Sequence, residues 1–170
     1  MSDVSYDFSS VPDKSVDEIL LQGQECLAGT IQLAIASDQR ATAMVGVFGA
    51  GFVALLATSA VIVTGEKYNE ALLYACLITS FGLFFASVFC AWAAKPVDFF
   101  VSGYEPRHLI KSASDLVWLK RYAAEDVQVR IDSNSKYLIL AGDWVQLGAK
   151  TAFCSPVLGA LVFWLTYHLS

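Results

Sequence analysis

The side chains of this chain that could carry covalent or metal chemistry are few: two histidines, His108 and His168, and four cysteines, Cys26, Cys76, Cys90 and Cys154. No C-x-x-C occurs among the cysteines. On one continuous helix Cys76 and Cys90 would stand about 21 Å apart, well beyond the reach of a disulfide. They read as small apolar residues. None of the motifs G-x-S-x-G, G-x-x-x-x-G-K-[ST], H-E-x-x-H or G-x-G-x-x-G is present. Gly46, Gly49 and Gly51 resemble a glycine loop only superficially, because they fall inside an apolar stretch. The expectation is a chain with no catalytic residue, no cofactor and no metal, and not an enzyme.

What these residues are embedded in explains why. Of 170 residues 56% are hydrophobic and only 16% charged, and the apolar residues are gathered in blocks. Ala41 to Gly65 (25 residues), Ala71 to Ala94 (24) and Thr151 to Ser170 (20) carry no charge at all. A helix needs roughly 20 apolar residues to cross the hydrocarbon core. One Lys or Asp at a helix centre would cost about 3 kcal/mol on insertion, so three charge-free runs in a chain with 27 charged residues point to three spans. The fold class expected is all-α: a three-span helical membrane protein whose long helices extend into a cytoplasmic helical bundle.

Lys14 and Arg40 precede the first span, Lys67 alone lies in the 66–70 turn, and Lys95, Arg107, Lys111, Lys120, Arg121, Arg130, Lys136 and Lys150 lie before the third. Ten of eleven basic residues thus share one side. The positive-inside bias places that side, with the N-terminus, in the cytoplasm of a bacterial inner-membrane protein. His108 and His168 then lie on opposite faces and cannot share an ion. The net charge of −5 argues against nucleic acid as a partner. MSDVSYDFSS is acidic and has no basic n-region, so it does not read as a signal peptide. Trp92 with Phe99 and Phe100 at the inner end, and Tyr68, Tyr74, Trp164 and Tyr167 at the outer, sit where interfacial anchors belong.

Outside the bilayer, residues 1–14 read as a mobile acidic tail. Ser15 and Glu18 form a capping box, which predicts a helix start at Ser15. Ile19, Leu20, Leu27, Ile31, Leu33 and Ile35 follow at helical spacing with no proline before the first span, so the 15–40 helix and the 41–65 span should be one helix of about 76 Å. Lys95-Pro96 ends the second span. In the 95–149 segment a loop punctuated by Gly103 and Pro106 gives way to an apolar seam, Leu116, Leu119, Ala123, Val127, Ile131, Leu138, Ala141, Val145, with Asn134 at one of its positions. Asp132 to Ser135 is a turn-forming cluster where this arm could divide before continuing into the 150–170 span. Two arms of this kind bury their stripes against each other, and self-association would complete a bundle.

Within the spans there is no Asp, Glu, Lys or Arg, which disfavours proton-coupled transport. Gly46, Ala50, Ala54 and Thr58 lie four apart on one face, a stripe that lets another helix approach closely, either from this chain or from a second copy. Phe81, Phe84, Phe85 and Phe89 make the second span look lipid-facing. Pro156, with Gly159 nearby, is a candidate hinge, kink or helix start. Asp38, Arg40, Asp143 and Lys150 lie at the membrane rim, either paired between the arms or solvated.

An approach to the bilayer through Ser37-Asp38-Gln39-Arg40-Ala41, a tight hairpin, a helical return and a last span preceded by Asn134, Lys136 and Lys150 resembles the small membrane effectors of bacterial anti-phage nucleotide-signalling systems, the Pycsar transmembrane effectors and the SLATT group. The resemblance covers roughly residues 15–168. It implies a homo-oligomer in the lipid bilayer that a signal on the arms triggers to permeabilise the inner membrane as an antiviral, pore-forming effector. No nucleotide-binding module is recognisable, so a nucleotide signal would be read by the arms or by a cytoplasmic partner protein. The alternatives from other classes are a non-permeabilising scaffold or accessory subunit that recruits a soluble partner, and a small channel or transporter component.

Overall fold

The computed structural model describes residues 11–65, 69–100 and 116–169, without the side chains of residues 13, 14 and 116. Most of the expected N-terminal tail, the turn residues Lys67 and Tyr68, and the loop with Gly103, Pro106, Arg107, His108 and Lys111 lie outside the described residues. Among the described residues the chain is all-helical: α1 Asp13–Thr64, α2 Glu70–Ala93 and α3 Leu116–Leu169. All three helices are long and apolar enough to cross a membrane, which makes this a multi-pass membrane protein of the all-α class.

Helix α1 is unbroken across Gly23 and Gly29, as the absence of proline predicts, but it starts earlier than the capping box does. The Pro12 carbonyl accepts from the Ser15 amide (2.8 Å) and the Val16 amide (3.2 Å), so Ser15 already lies in the first turn. Glu18 accepts instead from the Gln22 side chain at 2.7 Å. Asn69 caps α2, its side chain accepting from the Leu72 amide at 3.0 Å. Ala94 and Lys95 close α2 with bonds to the Cys90 and Trp92 carbonyls before Pro96. Helix α3 does not divide at residues 132–135, nor does it start at Pro156; it runs through both.

The chain forms two compact units, one from the residues up to Ile35 with Val97–Ile139, the other from Ala36–Pro96 with Leu140–Ser170. In the first, α1 and α3 lie side by side and parallel: Asp17 pairs with Lys120 (2.7 Å), and six residues on, a Cβ placed at Gly23 would lie 2.9 Å from Val127. The inward seam of α1 is Val16, Leu20, Gly23, Leu27, Thr30 and Ala34, all buried except the half-buried Leu20 and Gly23, with strict steps of four and three. That is a coiled-coil period of 3.5 residues, which winds helices left-handedly. Leu27 and Val16 are fully enclosed, each burial contributing about 2 kcal/mol. Ile19, Leu33 and Ile35, expected in the stripe, are exposed, because they fall between the strict heptad positions. The α3 half of the seam is as expected: Ala123, Val127 and Asn134 are buried, Ile131 and Leu138 half-buried.

In the second unit α2 lies antiparallel to both other helices. Ser80 and Ser87, seven residues apart, donate to the Phe52 and Val45 carbonyls of α1, also seven apart, each at 3.3 Å. Small α2 residues, among them Cys76, Ser80, Ala86 and Cys90, are buried, while Tyr74, Ile78, Phe81, Phe85 and Trp92 form an exposed ridge. The aromatic side is thus the lipid side, as expected for Phe81 and Phe85. Phe89 turns inward and stacks on Trp144 at 5.9 Å, with Trp92 on the same ring at 6.2 Å.

Candidate helix-packing interface

The heptad of α3 continues into the membrane unit as Val145, Gly148, Ala152, Ser155 and Gly159, and here the side chains shrink. A Cβ at Gly148 would lie 2.7 Å from the Cys90 sulfur and 3.0 Å from the Ala86 carbonyl. One at Gly82 would fall on the Ser155 Cβ, and one at Gly159 on the Thr79 hydroxyl and 2.9 Å from the Ala75 carbonyl. Close approach of α2 and α3 therefore rests on Gly82, Gly148 and Gly159. In lipid, where no hydrophobic drive separates helix from solvent, such contact is what holds helices together. Gly159, expected as part of a hinge, is a packing residue.

Pro156 is exposed and has no amide to give the Ala152 carbonyl. Ser155 supplies the missing donor, its hydroxyl bonding that carbonyl at 3.1 Å from a buried position. Thr79 bonds the Ala75 carbonyl at 2.8 Å and reaches the Ser155 carbonyl at 3.5 Å. Ser155→Ala should therefore cost about 1–2 kcal/mol in the native chain and much less in a Pro156→Ala background, where the backbone amide returns. A double-mutant cycle on thermal unfolding in micelles measures the difference; equal costs in both backgrounds would refute the role given to Ser155.

Gly46, Ala50, Ala54 and Thr58 do not lie in the buried seams among the described residues. All four are exposed, and a Cβ at Gly46 meets nothing within 4 Å. The face is longer than the four residues suggest. Gly29, Ala36, Ala43, Ala50 and Ala57 stand seven apart, with Cys26, Leu33, Val47, Ala54 and Val61 at the alternate heptad positions, and every one of them is exposed. Only Arg40 interrupts this second heptad. Sequence reasoning that looked for steps of four inside one span missed the seven-residue repeat, although it is legible in the sequence.

The rim residues Asp38, Arg40, Asp143 and Lys150 are exposed, and among the described residues no ion pair joins the first two to the last two. Tyr167 and Trp164 each meet His168 in an edge contact at 5.7 and 5.0 Å, near the end of α3. Phe99 and Phe100 belong to the first unit: Phe99 meets Tyr137 edge-on at 6.4 Å, and both backbone groups of Phe100 bond the side chain of Asn134. Among the described residues no three His, Cys, Asp or Glu side chains are grouped to hold an ion. Comparisons with protein-family models, curated proteins and solved structures found no match to this chain.

Proposed function

We propose that this protein is an oligomerising effector of a bacterial inner membrane, with the N-terminus and the 95–149 segment cytoplasmic, and that copies assembling through the exposed small-residue face of α1 breach the membrane, in the manner of an anti-phage response. The observation that carries this reading is the second heptad of α1. Lipid imposes no period on a helix surface, whereas a helix wound along α1 imposes one of 3.5 residues. The exposed faces of α2 and α3 support the contrast, since they are bulky: Phe81 and Phe85 on one, Phe153, Leu158 and Trp164 on the other. The cytoplasmic assignment rests on the ten basic residues that share one side.

A single copy offers little for a water path. Its buried membrane hydroxyls, Ser59, Ser80 and Ser155, all donate to backbone carbonyls. A conduit therefore needs several copies. Induced expression with a potential-sensitive dye should show depolarisation, and Gly46→Leu or Ala50→Leu should suppress it. A loss of about 1.4 kcal/mol at each contact lowers association about tenfold. Unchanged potential with the native chain fully inserted would sink the effector reading and leave the scaffold role; solute-dependent flux without toxicity would favour a channel or transporter component.

A further inference from the structure

We propose that residues 97–100 are a releasable strap held shut by Asn134, and that opening it readies the first unit to pair with a second copy of this chain; the second half rests on the assembly reading above. Asn134 is fully buried at a heptad position of α3, where an apolar side chain would pack better. Its whole amide is committed to one peptide: Nδ2–H donates to the Phe100 carbonyl at 3.0 Å and Oδ1 accepts the Phe100 N–H at 3.1 Å. This is the two-bond exchange of neighbouring β-strands, and it reads backbone, not side chain.

The rest of the attachment is thin. Phe99 supplies one edge contact to Tyr137, while Val97, Asp98 and Phe100 stay exposed. Among the described residues no other hydrogen bond ties 97–100 to the fold. Two bonds between neutral groups, opposed by the entropy of ordering the segment, make a tie that opens at equilibrium. When the strap leaves, a buried amide loses both partners and must be satisfied anew. A buried Asn at a heptad position pairs well with its counterpart on a second helix, where it fixes register and helix number. Among the described residues the first unit is otherwise a pair of parallel helices with Leu33 and Ile35 exposed, a bundle that a second copy would complete.

The test uses the full chain in nanodiscs of phosphatidylethanolamine and phosphatidylglycerol, with two readouts: hydrogen exchange at the Phe100 amide, and disulfide cross-linking between copies through Ala57→Cys in a chain whose four native cysteines are replaced. Asn134→Leu acts from the helix and Phe99→Ala from the strap, leaving the seam intact. Both should raise exchange at Phe100, Asn134→Leu by about tenfold or more, with helix content unchanged; Phe99→Ala, which frees the Asn134 amide for its counterpart, should increase cross-linking, and Asn134→Leu, which removes that amide, should not. Unchanged exchange in Asn134→Leu overturns the strap. Faster exchange with unchanged cross-linking in Phe99→Ala overturns its regulatory role. Faster exchange with no cross-linking in any chain, the native one included, removes the assembly reading and the second half of this proposal with it.

Discussion

Gly159→Val should cost the membrane unit about 3 kcal/mol or more and lower its thermal midpoint by about 10 °C. The Thr79 hydroxyl, on which a Cβ at Gly159 would fall, can rotate away. The Ala75 carbonyl, 2.9 Å from that Cβ, cannot, because it is fixed in the backbone of α2. The helices must separate, and separation forfeits dispersion along the whole seam, since half an ångström already loses a quarter or more of each contact. Gly148→Val should act alike through Cys90 and the Ala86 carbonyl. Gly29→Ala is the control: nothing lies within 4 Å of its Cβ, so only helix propensity changes, and stability should rise by up to about 1 kcal/mol. Circular dichroism of thermal unfolding in micelles that keep the chain monomeric measures all three; equal behaviour of Gly29 and Gly159 would refute the assigned crossing.

The contrast between those glycines shows where sequence reasoning reached and where it stopped. Absence of charge over 20 residues is a one-dimensional property, so the three spans were legible from composition alone, as was the continuity of α1 from the absence of proline. The α3 seam from Ala123 to Val145 was legible because its apolar side chains announce the period. Beyond Lys150 the same period continues in Ala152, Ser155 and Gly159. There every neighbour is apolar too, and only residue size distinguishes the packed face from the lipid face. The phenylalanines of α2 drew the eye to its exposed ridge and hid the small residues that do its packing. Asn134 was placed on the seam, but its partner Phe100 lies 34 residues away in the sequence, and no periodicity encodes that meeting. Leu33 and Ile35 misled for the opposite reason: they are large and apolar, yet off the strict heptad.

Leu27 and Leu33 turn that distinction into a measurement. They are the same residue type, six positions apart on α1, but Leu27 has no exposed surface and Leu33 is 64% exposed. Leu27→Ala removes three carbons from a closed seam that also holds Thr30 and Val127, and should cost about 2–5 kcal/mol. In a unit whose described residues form two helices this is enough to loosen the parallel pairing, so exchange should rise at amides of α1 up to residue 35 and of α3 before residue 139, while the membrane unit keeps its protection. Leu33→Ala should leave monomer stability within about 0.5 kcal/mol, because its side chain stays largely exposed among the described residues. If a second copy lies along the exposed heptad, Leu33→Ala instead weakens cross-linking between copies through Ala57→Cys, and Leu27→Ala does so only as far as it unfolds the first unit. Equal effects of the two substitutions on monomer stability would mean that the seam of α1 has been assigned to the wrong face, and the face left for a partner with it.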